Sequence, residues 1–255
     1  MDKEEGVATI SLNRPERYNA LNRDILLELN KALDDVSGDE TINAVIITGK
    51  GKAFCAGGDI QGHPAFETQD DLELDALISE AQAVIPKIHR MEKVVIAAIN
   101  GIAGGAGLDM ALACDLRIAS ETATFAEFYI KAGMMSDFGG SYFLTKYMSL
   151  GKALEMLLTG DIIDAEEALH LGLVNHVVPH HKVLDKALSL ARRFANGPIA
   201  AQRLMKKTFY ASLNTDLETA LEMERRGQNI LIGTQDCREA IQAFKEKRNP
   251  VFKGK

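Results

Sequence analysis

The chain has 255 residues, of which 46% are hydrophobic and 25% are charged, as in ordinary globular proteins. A formal net charge of −7 argues against a nucleic-acid-binding protein, which normally carries a basic surface. No apolar run approaches the roughly 20 residues that span a membrane, and the charged start Met1 to Glu5 lacks the apolar segment of a secretory signal. Three cysteines without pairing or metal-ligand spacing indicate a reducing compartment, so we expect a cytoplasmic protein.

Three short β-branched runs in the first half of the chain predict strands. They are Val7 to Leu12, Ala44 to Thr48, and Val94 to Ile99. A helical pattern of apolar residues lies between the first two strands, and a second one, Leu72 to Met91, precedes the third. Strands that alternate with helices in this way predict an α/β fold with a buried sheet.

From about residue 150 onward helical patterns dominate, interrupted by one predicted strand, Leu173 to Val178. We predict a core over residues 1–195 and, without a linker, a helical C-terminal region over residues 196–255. His180 and His181 lack a third ligand at metal-binding spacing, so no metal site is predicted there. The predicted helices of this half are Gly151 to Leu158, Ala165 to Leu171, Leu184 to Asn196, Ala200 to Leu213, Asp216 to Ile232 and Asp236 to Lys247.

The segment Phe54 to Ile60 follows the second predicted strand and contains adjacent glycines, Gly57 and Gly58. Two glycines at the exit of a strand allow the backbone to approach a ligand, because no Cβ obstructs it. Asp59 is placed to cap the segment that follows. A simple glycine turn is the alternative interpretation.

A second glycine-rich segment, Asn100 to Asp109, follows the third predicted strand and opens a helix. Such a turn directs unpaired N–H groups and the positive end of the helix toward a bound group. No acidic residue ends a second strand about 20 residues later, so a nicotinamide or flavin site is not favoured.

The segment Gly133 to Ser141 places Asp137 between bulky apolar residues and ahead of two glycines. A carboxyl in apolar surroundings is a candidate acid or base, because burial raises its pKa. The alternative interpretation is a helix N-cap, a position that aspartate favours.

Together with shorter markers, these segments follow an order that is known from one family. The markers are Leu12-Asn13-Arg14-Pro15 with Asn19-Ala20-Leu21, Ala53 to Ile60, Ala97 to Gly107 with Cys114-Asp115, and Leu158-Thr159-Gly160 with Ala165 to Val174. From Val7 to about Phe252 the chain resembles the crotonase superfamily, the enoyl-CoA hydratase/isomerase family. The resemblance implies a spiral of ββα turns with two roughly perpendicular sheets, and C-terminal helices that form a homotrimer or a hexamer. It also implies acyl-CoA substrates and no further cofactor.

The resemblance also assigns roles to residues. It implies that the backbone amides of Gly58 and Ala106 form an oxyanion hole for the thioester oxygen, an arrangement that stabilises charge without reorganisation. Arg17 is the expected phosphate contact, and an exposed surface arginine is its alternative interpretation. The residues that would lie along coenzyme A are Arg17, Tyr18, Ala20, Ala56, Asp59 and Ile60.

The choice of reaction depends on three catalytic candidates. Hydration in this family uses two glutamates, and their positions hold Asp109 and Tyr129 here. A phenol with a pKa near ~10 is not a ready base at neutral pH. Asp137 instead matches the aspartate of isomerase branches of the family. We therefore expect double-bond isomerisation by Asp137, with Tyr129 either orienting it or serving as a buried structural residue.

Besides hydrolysis or other enolate chemistry, two functions are alternatives to isomerisation. Hydration through Asp109 together with Asp137 or Glu127 is the alternative enzymatic reaction, although Glu127 lies two residues from the expected position. A non-catalytic acyl-CoA-binding homologue is the alternative of a different class.

Overall fold

The computed structural model describes residues 1–61 and 70–254, with alternating strands and helices in the first half and mostly helices in the second. Strands β1 to β10 cover Asp2–Glu4, Val7–Leu12, Ala44–Gly49, Ala53–Cys55, Val94–Ile99, Ile102–Gly104, Leu116–Ser120, Thr124–Ala126, Ile163–Asp164 and His176–Val178. Helices α1 to α11 cover Arg23–Gly38, Asp71–Gln82, Val84–Arg90, Ala106–Ala113, Gly140–Tyr147, Leu150–Thr159, Ala165–His170, Val183–Ala195, Ile199–Ser212, Leu217–Ile232 and Gln235–Glu246.

The strands form two sheets. The larger sheet has the order β1-β2-β3-β5-β7-β10, and its described pairs are parallel apart from β1 with β2. The smaller sheet has the order β4-β6-β8-β9, and its pairs are parallel apart from β8 with β9. Three times in succession the chain leaves a strand of the larger sheet and enters the smaller one, at β3–β4, β5–β6 and β7–β8. This repetition sets the exits of β4 and β6 next to each other.

The larger sheet is buried on both faces, which explains its nearly continuous apolar runs. Along β3, Val45 and Ile47 face the main hydrophobic core. Ile46 faces the other way and belongs to a second cluster with Ala187 and Ala191 of α8. Side chains alternate between the two faces of a strand, so each face needs its own apolar set.

The predicted strands of the first half are confirmed, but the helix predicted from Leu72 to Met91 is wrong as a single element. It consists of α2 and α3, which are separated at Ala83. Pro86 explains the division, because proline has no N–H to donate to the carbonyl of Gln82 and its ring obstructs a continuous helix there.

The strand predicted from Leu173 to Val178 is also shorter than expected and begins at His176. The N–H groups of Leu173 and Val174 donate to the Ala168 carbonyl oxygen over 2.9 and 3.3 Å, so these two residues belong to the end of α7. Local helix-end hydrogen bonds outweigh the β-branched composition at this point.

The C-terminal helices are tied to the core by polar contacts. Lys206 on α9 forms an ion pair with Asp115 over 2.6 Å, and the Tyr210 hydroxyl donates to the same carboxylate over 2.9 Å. The division at residue 195 stays a prediction. None of the helices in residues 1–61 and 70–254 is both long enough and apolar enough to cross a membrane.

Candidate active site

The site begins where two glycine turns approach each other closely. Gly57 has φ of 103°, and a Cβ on it would lie 2.8 Å from the carbonyl oxygen of Gly104. A Cβ added to Gly107 would lie 2.2 Å from the carbonyl oxygen of Cys55. Any side chain would therefore force the exits of β4 and β6 apart, and glycine is required for this geometry.

Gly58 and Ala106 line one cavity of about 410 Å³. The backbone of Leu21 pairs with the residues on either side of Gly58. The Leu21 N–H donates to the Gly57 carbonyl oxygen, and the Leu21 carbonyl oxygen accepts from the Asp59 N–H, so this pairing does not use the Gly58 amide. Among the described residues, neither the Gly58 nor the Ala106 amide donates a backbone hydrogen bond outside regular secondary structure. Ala106 is the first residue of α4, where an N–H has no intrahelical partner. Both amides are thus available to a carbonyl oxygen in the cavity.

Gly105 turns the chain from β6 into α4. Its φ is 48°, and its N–H donates to the Ala126 carbonyl oxygen over 2.8 Å. A Cβ on Gly105 would lie 3.4 Å from the Tyr129 ring. The turn therefore brings the positive end of the helix dipole to the cavity wall, immediately before the Ala106 amide.

Arg14 organises the loop that carries several of the predicted coenzyme A contacts. Its Nη1 donates to Asp59 Oδ2 over 2.5 Å and to the Ala20 carbonyl oxygen over 3.3 Å. Burial alone would raise the pKa of Asp59, but the bonds from Arg14 and the Gln61 amide outweigh it and hold this pKa below its usual value. Arg14 lies within the first family marker, but nothing in its local pattern indicated this role.

The predicted coenzyme A residues form a strip rather than one pocket. Ala56, Asp59 and Ile60 line the cavity that contains Gly58 and Ala106. Ala56 also lines an adjacent groove of about 520 Å³ together with Tyr18.

Arg17 and Ala20 line neither of these two spaces. Arg17 is exposed and donates to Gln61 Oε1 over 3.1 Å. The contacts of these residues with coenzyme A stay predictions.

Asp137 lies on the wall of the same cavity as the two amides. Its interpretation as a helix N-cap is wrong, because α5 begins at Gly140 with Gly139 as its N-cap and without a side-chain cap. The Gly140 N–H donates instead to Ser136 Oγ over 2.9 Å. The main-chain oxygen of Asp137 accepts a hydrogen bond from Gln82 Nε2 over 2.6 Å. The loop that carries Asp137 is therefore held from two sides.

Asp109 lies behind Tyr129. Tyr129 lines the cavity, whereas Asp109 is completely buried. Asp109 Oδ2 accepts hydrogen bonds from the Tyr129 hydroxyl and from Ser136 Oγ, each over 3.0 Å. Burial raises the pKa of Asp109, and these two bonds offset part of the effect. Burial also raises the pKa of Tyr129, and the nearby charges of Asp109 and Asp137 raise it further, so this phenol stays protonated.

Glu127 is a second completely buried carboxyl group beside Asp109. A Cβ on Gly140 would lie 3.1 Å from Glu127 Oε1 and 2.5 Å from Asp109 Oδ1, so both oxygens lie close to the same point beside Gly140. Burial raises the pKa of Glu127, and the charge of Asp109 raises it further. Glu127 is thus next to Asp109, but it does not line the cavity.

Two contact residues escaped the sequence analysis. Ser136 precedes Asp137 directly, and a hydroxyl beside a candidate acid was its available signal. Gln82 is 55 residues away from Asp137 in the chain, and nothing in its local pattern indicated the contact.

His180 and His181 are exposed, and the described residues contain no group of three or more His, Cys, Asp or Glu side chains that could hold a metal ion.

A family model described as enoyl-CoA hydratase/isomerase matches residues 2–255 of the chain. The chain belongs to the enoyl-CoA hydratase/isomerase family. It is 38% identical over 253 residues to the crotonyl-CoA hydratase of Syntrophomonas wolfei, and the aligned region covers 99% of this chain and 96% of that relative. It is 34% identical to the 1,2-epoxyphenylacetyl-CoA isomerase of Escherichia coli, with 99% and 97% covered. Relatives with both kinds of name are thus similar over nearly the full chain.

Solved structures of the family have the same fold. A crystal structure of an enoyl-CoA hydratase from Bacillus anthracis superimposes with a TM-score of 0.92 at 37% sequence identity, covering 98% of this chain and 96% of that one. The predicted α/β crotonase fold is therefore confirmed.

Proposed function

We propose that this family member is an enoyl-CoA double-bond isomerase and that Asp137 is its acid and base. The observation that carries the proposal is the placement of the carboxylates. Asp137 lines the cavity that contains the Gly58 and Ala106 amides, whereas Asp109 is buried behind Tyr129. One carboxylate on the cavity wall is sufficient for a proton shift between two carbons of the same substrate.

The reaction follows from this placement. The Asp137 carboxylate takes a proton from the α carbon of a 3-enoyl thioester, and the C–H electron pair moves into the conjugated system toward the thioester oxygen. The amides of Gly58 and Ala106 donate to that oxygen as it becomes negative. Asp137 then returns the proton to the γ carbon, which leaves the double bond conjugated with the thioester and the carboxylate regenerated.

The wall around Asp137 favours this reaction over the addition of water. Phe128, Met134, Met135 and Phe138 line the cavity with it. Apolar side chains give a water molecule few hydrogen-bond partners, and excluding water discourages its addition to the conjugated enoyl thioester.

Hydration is the second candidate function, and the names of most of the similar proteins favour it. It requires a water molecule held by acid and base groups on the cavity wall. Asp109 and Glu127 would have to reach such a water from buried positions. A third possibility, acyl-CoA binding without turnover, keeps the two amides and leaves the carboxylates unused.

The experiment uses 2-enoyl, 3-enoyl and dienoyl thioesters of coenzyme A in deuterated water, with products followed by mass and by the ultraviolet absorbance of the conjugated thioester. An isomerase changes the conjugation without adding water, and deuterium enters the product wherever the proton on Asp137 exchanges with solvent before its return. We expect Asp137→Asn to lower kcat by about 100-fold or more, the typical contribution of a general acid or base.

The matched control is Asp185→Asn, an exposed aspartate in the first turn of α8 that forms an i,i+3 ion pair with Lys182. It should leave kcat near the wild-type value. Net addition of water by wild type, whether or not Asp137→Asn retains it, would refute the isomerase proposal. Binding of coenzyme A thioesters with neither a change of conjugation nor deuterium exchange would favour the non-catalytic homologue.

We also propose a cytoplasmic homotrimer or hexamer with no cofactor beyond the coenzyme A of its substrate. Large apolar side chains on the C-terminal helices are exposed in the single chain, as an assembly surface requires. Light scattering coupled to gel filtration measures the mass directly, and a monomer would contradict this proposal. The residues concerned include Met205, Phe209, Leu217, Leu221 and Phe244.

A further inference from the structure

The buried carboxyl groups of Asp109 and Glu127 leave three oxygen atoms to be explained. Within residues 1–61 and 70–254, Asp109 Oδ1 and both oxygens of Glu127 have no hydrogen-bond partner. All three are shielded from solvent, since both residues are 0% exposed. Buried polar atoms are nearly always paired, so an arrangement that leaves three acceptors together requires a physical reason.

A single proton between the two groups supplies that reason. Two ionised carboxylates side by side in a buried site repel each other and lose their hydration, which is strongly unfavourable. A protonated carboxyl group has an O–H that it can donate to the neighbouring carboxylate. Asp109 Oδ2 already accepts from Tyr129 and Ser136, so its Oδ1 is the acceptor that faces Glu127.

We propose that Asp109 and Glu127 share one proton, carried by Glu127 and donated to Asp109 Oδ1, and that this pair positions the loop bearing Asp137. Ser136 transmits the effect, because it accepts from the Gly140 N–H and donates to Asp109 while lying next to Asp137 in the chain. Asp109 and Glu127 are thus positioning residues. Their role differs from that of two carboxylates that activate a water molecule.

The pair also determines what Tyr129 presents to the cavity. Because Asp109 stays ionised, the Tyr129 hydroxyl directs its proton toward Asp109 Oδ2. Its oxygen can then only accept a hydrogen bond from the cavity side. The partner with suitable chemistry is a donor that appears during turnover, namely the protonated carboxyl group of Asp137, which lines the same cavity.

The shared proton can be tested without any substrate. Exposed carboxyl groups are ionised at pH 7, so an infrared difference spectrum of wild type minus Glu127→Gln isolates the buried pair. We expect the carbonyl stretch of a protonated carboxylic acid in wild type and its loss in Glu127→Gln, whose amide donates to Asp109 in place of the O–H. A band that persists in Glu127→Gln and disappears in Asp109→Asn would place the proton on Asp109 and overturn the proposal. So would the absence of the band from wild type.

The positioning role is tested by comparing Glu127→Gln with Glu127→Leu. Leucine is of similar size but lacks the donor, so Asp109 Oδ1 loses its partner. We expect kcat of Glu127→Leu to fall at least about tenfold below that of Glu127→Gln, with KM changing less, because a positioning defect acts on the chemical step. Equal kcat values in the two folded variants would overturn this role.

This second test rests on the proposed function, since it needs turnover through Asp137, whereas the infrared test does not. If Asp137→Asn retains full activity but the acid band is present, the proposed function fails and the shared proton stands. If the band is absent while Asp137→Asn is inactive, the shared proton is refuted and the proposed function stands.

Discussion

The Tyr129 hydroxyl donates a hydrogen bond to Asp109 Oδ2 over 3.0 Å, which joins the two positions that the family resemblance assigns to the glutamates of hydratases. A pair of glutamates can hold a water molecule between them. Here the phenol and the carboxylate satisfy each other, and the Asp109 side chain is fully buried. Two carboxylates of the described residues line the cavity, Asp59 and Asp137, and Asp59 is held in an ion pair by Arg14.

Removing the Tyr129 hydroxyl should destabilise the protein. In Tyr129→Phe, Asp109 Oδ2 keeps only the Ser136 bond, and a buried carboxylate that loses a donor costs about 1–3 kcal/mol of unfolding free energy. The measurement is urea denaturation of wild type and variant. Tyr142→Phe is the matched control, because Tyr142 is 42% exposed. An unchanged midpoint for Tyr129→Phe would show that the bond contributes little.

Arg14→Met should raise KM for acyl-CoA and lower stability at neutral pH. The variant leaves the Asp59 carboxylate without its ion pair, a loss of about 2 kcal/mol for a pair this well shielded. Because the pKa of Asp59 is lowered in the folded protein, this stabilisation is present above the unfolded pKa near ~3.9 and is lost as pH falls further. The difference between wild type and Arg14→Met should therefore shrink toward acid pH.

The control for that experiment is Arg23→Met, whose ion pair with Glu80 over 3.1 Å is more exposed. Exposed pairs contribute about 0–1 kcal/mol, so this variant should unfold nearly as wild type does. Equal losses in the two variants, independent of pH, would contradict the role of Arg14.

Two glycines in helices should respond oppositely to alanine. A Cβ on Gly107 would lie 2.2 Å from the Cys55 carbonyl oxygen, whereas a Cβ on Gly151 would have nothing within 4 Å. We expect Gly107→Ala to lower both stability and kcat, because it separates the segments that carry the Gly58 and Ala106 amides. Overpacking of this kind costs about 1–3 kcal/mol. Gly151→Ala should be neutral or slightly stabilising. Urea denaturation and steady-state kinetics of both variants measure the difference between them.

The stability of wild type should fall with rising pH relative to Glu127→Gln. Burial raises the pKa of Glu127, so the neutral form is favoured in the folded protein. The stabilisation that this raised pKa gives the folded protein is fully present below the unfolded pKa near ~4.3. It is lost as pH rises toward the folded pKa, at up to about 1.4 kcal/mol per pH unit. Urea unfolding at several pH values between about 5 and 8 measures this slope. Parallel profiles for the two proteins would mean that Glu127 binds no extra proton on folding.

Local patterns predicted most of the secondary structure correctly. The strands Val7–Leu12 and Val94–Ile99 appear with the predicted bounds because a two-sided buried sheet requires continuous β-branched runs. The errors lie where a local effect competes. Pro86 divides a helix whose periodicity is otherwise unbroken, and the end of α7 takes over the first residues of a predicted strand.

The amino-acid sequence by itself determined the family, the two glycine turns and the candidate acid Asp137, because these depend on residue types at fixed local spacing. The tertiary structure alone decided which carboxyl groups face the cavity. Helical spacing from Ala106 places Asp109 near the site, but its burial depends on Tyr129 and Ser136, 20 and 27 residues away. Likewise, Asp109 and Glu127 come close to each other because Asp109 on α4 accepts a hydrogen bond from Tyr129 in the segment after β8, and contacts between distant segments leave no local pattern.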